Sequence, residues 1–130
     1  MTMTTPPVSI REYTVRASTT RTFGRVLASA RDHHVIVDGP VQNGCPGEEL
    51  TPVEVFLISV ASCGAELVQV IAKEQSLPLA SVDVSMRGVV DRSKQTRTDV
   101  TTFTTVELDL VLAGVDGAQA AALVEGFKRR

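Results

Sequence analysis

The side chains with the clearest chemical potential are two cysteines, Cys45 and Cys63, and an adjacent pair of histidines, His33-His34. A cysteine acts as a nucleophile through its thiolate, and oxidation of that sulfur is reversible only at its early stages. Cys63 closes an apolar run, Val55-Phe56-Leu57-Ile58-Ser59-Val60-Ala61-Ser62-Cys63. Free cysteine is also among the most buried residue types, so packing is the alternative to chemistry there. Cys45 sits in Gly44-Cys45-Pro46-Gly47, a sequence that reads as a flexible loop. It is either an incidental thiol or a second thiol, because a loop over 46–51 extended to ~20 Å would let it reach Cys63. His33 and His34 point apart as neighbours on a strand or turn, and neither stands at ligand spacing from a cysteine, so no metal site is expected.

Composition narrows the function class. The chain has 130 residues, 13 Lys+Arg against 15 Asp+Glu, and a formal net charge of -2, which argues against nucleic acid or an anionic membrane as partner. Aromatic residues make up 4%, with no Trp, so there is no platform for stacking bases. Apolar residues at 43% are enough for one packed core. Two cysteines are too few for a disulfide scaffold, and the start MTMTTPPVSI has neither the basic nor the apolar region of a secretory signal. The stretch Val55 to Ala65 is too short to span a bilayer. A cytoplasmic protein without cofactor is expected.

The elements that must position the cysteines follow from periodicity. Residues 1–9 read as a loose N-terminal arm and 10–130 as a single domain. Alternation from Ile10 through Ala17 predicts a strand, a second strand is expected over Arg21 to Ala28, and Val35-Ile36-Val37 a third after a turn at Arg31-Asp32-His33-His34. Residues 38–50 form a loop. Thr51-Pro52-Val53-Glu54 then combines an N-cap, a first-turn proline and a capping-box acid, opening a helix expected to reach Gln75, roughly 36 Å long. The first half of that helix is apolar nearly all round, so it should be buried on every side. One small subunit can hardly enclose it, which predicts a dimer. Val82, Val84 and Met86 begin a hairpin completed by Val100 to Leu112 across a polar turn at 91–98. Asp116 with Gln119 predicts the N-cap of a last helix whose apolar face is Ala120, Leu123, Val124 and Phe127. The class is α+β, in the order β-β-β-α-β-β-α.

The loop and helix Asp38-Gly39-Pro40 … Thr51-Pro52-Val53-Glu54-Val55-Phe56-Leu57-Ile58-Ser59-Val60-Ala61-Ser62-Cys63 resemble the signature of the OsmC/Ohr family, osmotically induced protein C and organic hydroperoxide resistance protein. The element order and the segment Leu77 to Val90 resemble it too, so the likeness spans roughly residues 10–127. It implies a swapped homodimer with long central helices packed against outer antiparallel sheets, and an active site at the subunit interface. It also implies that Cys63 is the peroxidatic nucleophile on a buried central helix, oxidised by an organic hydroperoxide to a sulfenic acid. A resolving cysteine and a dithiol reductant complete the family's cycle.

By the same resemblance, Arg25, in a Gly24-Arg25 pair, and Arg21 are the candidates for the strand arginine that poises the thiolate; a solvated strand charge is the alternative for each. The apolar surroundings of Cys63, namely Phe56, Val60 and Leu67 with the partner subunit, would suit a hydrophobic substrate. The peroxide-reducing branches carry an acid directly after the proline, where this chain has Val53. Glu54 is nine residues from Cys63, roughly 900° around a helix, and so points to the opposite face. This Pro-x-Glu start resembles other branches of the family. The family's resolving Cys-Pro follows the last helix, and this sequence reaches Arg130 without it. Two functions follow: thiol-dependent reduction of organic hydroperoxides in stress defence, or a non-catalytic module holding a small hydrophobic ligand at the dimer interface.

Overall fold

The structure is a computed structural model that describes residues 9–130. The arm expected over residues 1–9 lies outside the described residues except for Ser9, which is exposed. The chain divides into two compact units, with the boundary between Pro52 and Val53.

The first unit is a three-stranded antiparallel sheet in the order β1-β2-β3, with β1 at Arg16–Thr19, β2 at Arg25–Ala30 and β3 at His33–Asp38. The expected meander is present, with shifted boundaries. β1 starts at Arg16 rather than Ile10: Arg16 pairs with Ser29, and only Ala30 of β2 lies beyond that pair, so at most one of residues 10–15 could find a ladder position on β2. The β2–β3 turn is the two residues Arg31-Asp32, so both histidines belong to β3, with His33 opposite Ala30 and His34 opposite Ser29. The β1–β2 connection takes residues 20–24, where Thr20 accepts and donates several local hydrogen bonds and Gly24 adopts φ +80. Arg21 therefore lies in a turn, not in the strand expected over 21–28.

The second unit holds α1 (Pro52–Glu74) from Val53 onward, the hairpin β4 (Ser81–Val89) and β5 (Thr105–Ala113), and α2 (Gly117–Lys128). α1 starts at the proline that the sequence marks and ends one residue short of the expected Gln75. Its buried residues, Gly64, Val68, Ile71 and Ala72, recur at helical spacing along one face. They meet Leu123 of α2, and Leu77, Leu79, Val82, Leu110, Leu112, Val115 and Phe127 close around them. Two glycines let the helices approach: a Cβ on Gly64 would stand 3.3 Å from the Phe127 ring, and one on Gly126 would stand 3.2 Å from Ile71. Asp116 caps α2 as expected, accepting from Gln119 N while the Gln119 side chain accepts from Asp116 N.

The β4–β5 connection is longer than the expected turn at 91–98, because β5 begins at Thr105 and not at Val100. Gln95 organises it: the side-chain amide donates to the carbonyls of Asp91 and Thr102 and accepts from Thr102 N. That folds Phe103 onto β4, where a Cβ on Gly88 would stand 2.7 Å from its ring, and stacks it on Phe56 of α1 at 6.0 Å between centroids.

Candidate functional site

On α1, Phe56, Val60, Cys63 and Leu67 fall at i, i+4, i+7 and i+11, one stripe of the helix. This stripe runs beside the buried face through Gly64 and Val68, about a quarter-turn away at ~100° per residue. Phe56 is fixed from one side by Phe103 yet remains 56% exposed. Val60 and Leu67 are half-buried. Cys63 is a free thiol and is exposed in the single chain. Within one chain the first half of the helix is not buried on every side. Val53 and Ile58 are 51% and 47% exposed, because α2 and the hairpin cover only the face that carries the core residues. By length and composition alone α1 would cross a bilayer, a test that the core helix of a soluble protein also passes. It does so although the uncharged stretch Val55–Ala65 is short by itself. Glu54 stands in the first turn of α1, where a carboxylate complements the helix dipole.

The first unit contains a polar cluster that the sequence reading did not assemble. Asp38 is wholly buried at the end of β3, directly opposite Arg25 on β2. The Arg25 guanidinium forks onto it, Nε to Oδ1 at 2.8 Å and Nη2 to Oδ2 at 2.9 Å. Asp38 Oδ2 also accepts from the backbone N–H groups of Glu48 and Glu49, both at 3.0 Å, and Glu48 Oε1 lies 3.6 Å from Arg25 Nη2. The Arg25 hydrogen bond, helped by the two backbone donors, holds the Asp38 carboxyl well below the usual carboxylate range against the opposing effect of burial. Arg25 is correspondingly raised above the ordinary arginine range, chiefly by its hydrogen bond to Asp38.

Asp38 thereby straps down the loop that the sequence marks as flexible. Asp38 N also donates to Leu50 O, Gly39 N to Gly24 O, and Gly47 N to Gly39 O. Cys45 is half-buried inside this strap. Its Sγ packs between two glycines: a Cβ on either Gly24 or Gly39 would come within 2.4 Å of it. Cys45 is thus a packed thiol rather than one on a mobile tip. Arg21 is exposed and forms no ion pair among the described residues. His34 shares a 2.7 Å hydrogen bond with Ser29 Oγ, while His33, next in sequence, faces the other side of the sheet. A motif search does not find the Arg25–Asp38 pair, because the two are 13 residues apart and meet only through strand register. The usable signal was an acid closing an apolar strand immediately before Gly39-Pro40.

A family model described as OsmC-like protein matches residues 45–130, and the chain belongs to that family. The architecture agrees. An OsmC-like protein from Mycoplasma pneumoniae superposes with a TM-score of 0.77 at 12% identity, covering 92% of this chain and 82% of that one. An organic hydroperoxide resistance protein from Elizabethkingia anophelis, with thiocyanate bound, gives 0.74 at 15% identity, covering 95% and 85%. An organic hydroperoxide resistance protein OsmC from Legionella pneumophila gives 0.70 at 19% identity, covering 93% and 85%. At these identities the likeness establishes the fold, α+β and OsmC-like. No curated protein matches the chain by sequence.

Proposed function

We propose that this protein reduces organic hydroperoxides with Cys63 as the nucleophile, acting as a homodimer in the cytoplasm. The observation that carries the reading is the stripe Phe56-Val60-Cys63-Leu67: a free, accessible thiol flanked by apolar side chains on the long helix of an OsmC-like fold. Two of the structural neighbours are described as organic hydroperoxide resistance proteins, which supports the same chemistry. In the reaction the Cys63 thiolate attacks the outer oxygen of ROOH and the O–O bond breaks. The alkoxide leaves as ROH after taking a proton, and Cys63 becomes a sulfenic acid. A dithiol then returns it to the thiol, giving water and a disulfide of the reductant. Phe56, Val60 and Leu67 would hold the organic part of the substrate, with a second subunit over the exposed face of α1. Of the two candidate arginines, Arg25 is favoured over Arg21, since its guanidinium is fixed by the fork onto Asp38.

A non-catalytic reading, with a small hydrophobic ligand on the same stripe, is favoured by a different observation. The edge of Arg25 carrying Nε and Nη2 is already committed to a carboxylate, and Val53 follows Pro52 where the peroxide-reducing branches resembled here carry an acid. Single-turnover reaction with cumene hydroperoxide separates the two. Catalysis predicts rapid loss of one thiol per chain, retained in Cys45→Ser and abolished in Cys63→Ser. A rate equal to that of free cysteine would leave only the binding role.

A further inference from the structure

A row of donor side chains crosses the sheet of the first unit and is not used by the thiol chemistry. Arg16 on β1 is directly opposite Ser29 on β2, and Ser29 is directly opposite His34 on β3. Directly opposed residues share a face with Cβ atoms about 5 Å apart, so the three form one line across three strands. Thr14 and Arg31 stand beside the line, two residues along the chain from Arg16 and Ser29, and the five side chains together line an open cleft of about 470 Å3. No carboxylate lines it. Neither Arg16 nor Arg31 forms an ion pair among the described residues, although Glu12 and Asp32 are near in sequence.

Two guanidinium groups line one cleft, and neither is neutralised by an ion pair among the described residues. One of them is also held at a backbone position that favours glycine: Arg31 has φ 54 in the two-residue β2–β3 turn. Ser29 and His34 are pre-arranged by their 2.7 Å hydrogen bond. The tautomer in which Nδ1 accepts the serine proton leaves Nε2–H to donate outward. The cleft thus offers two guanidinium forks, an imidazole N–H and the Thr14 hydroxyl. That is more donor capacity than the two oxygens of a carboxylate use, and it suits the three terminal oxygens of a phosphate monoester.

We propose that the Arg16–Ser29–His34 row, closed by Thr14 and Arg31, binds the phosphate group of a phosphorylated small molecule, whose remainder occupies the rest of the cleft. The test is a titration of the full-length protein followed by amide NMR, with phenyl phosphate, inorganic phosphate and benzoate as probes and with phosphatidylcholine vesicles containing phosphatidic acid. Saturable shifts at Ser29 and His34 are expected with phenyl phosphate and inorganic phosphate, with benzoate weaker by about tenfold. Arg31→Gly removes one fork at a position where glycine suits the backbone, so the thermal midpoint should hold or rise while phosphate affinity falls about tenfold. Arg16→Gln should weaken binding similarly. The proposal is overturned by the absence of saturable shifts at these residues up to about 20 mM probe, by equal affinity in wild type and Arg31→Gly, by equal affinity for benzoate, or by binding to the vesicles alone.

Discussion

At the scale of single residues, Asp38 carries the most structural consequence. One buried carboxylate receives a guanidinium fork and two backbone N–H groups, and so ties the end of β3 to β2 and to the loop at 48–49. An unfolded aspartate titrates near pH 4. The folded value is held lower, so the folded state favours the ionised form, and this contribution to stability is complete above the unfolded value. It is lost as pH falls from about 4 towards the folded value. Acid unfolding measured from pH 6 to pH 2 should show stability falling with pH in that window, and Asp38→Asn should flatten the slope. At pH 7 the same substitution should lower the thermal midpoint by roughly 10 °C, because it removes the buried carboxylate of the fork and leaves Arg25 with only the exposed Glu48 as an ion-pair partner. An unchanged acid profile would mean that Asp38 is not the group responsible. Cys45, packed between Gly24 and Gly39, should react more slowly with a thiol reagent than exposed Cys63.

At the scale of elements, the fold rests on signals of unequal legibility. Pro52 at the start of α1 and the Asp116–Gln119 box at the start of α2 are local: the chemistry that ends a helix lies within four residues, so the sequence displays it directly. Strand limits are not local. β1 is confined to Arg16–Thr19, β2 offers only Ala30 beyond the last pair, and residues 10–15 alternate in sequence without acquiring a partner in the sheet. The same dependence on register hid Arg25–Asp38 and Arg16–Ser29–His34, each made of residues unremarkable alone and joined only when strands pair. Phe103 was equally invisible, since its seat on Gly88 depends on how Gln95 folds the long β4–β5 connection. The α1–α2 contact was legible in part through the spacing of Leu123 and Phe127. Leu123 is fully buried against Val68, Ile71 and Ala72, so Leu123→Ala should cost about 3 kcal/mol in urea unfolding. A loss below 1 kcal/mol would show that this core tolerates a cavity or collapses into it.

At the scale of the whole molecule, the apolar surface of α1 sets the proposed assembly. Val53, Phe56 and Ile58 leave about half of their surface open on one helix, apolar surface that a second subunit would take out of water. A second copy covering them predicts a dimer in sedimentation velocity, and Ile58→Asp should weaken it by roughly 100-fold or more, since the dimer would bury an unpaired charge. A wild-type monomer at micromolar concentration would remove the second subunit from the proposed site. The central claim concerns one sulfur within that assembly. Its most direct measurement is the mass of the intact protein after one equivalent of cumene hydroperoxide and a sulfenic-acid trap, with the adduct mapped by peptide. One adduct per chain on Cys63, absent from Cys63→Ser and unaffected by Cys45→Ser, is the predicted result. An adduct confined to Cys45, or none formed faster than on free cysteine, would contradict it.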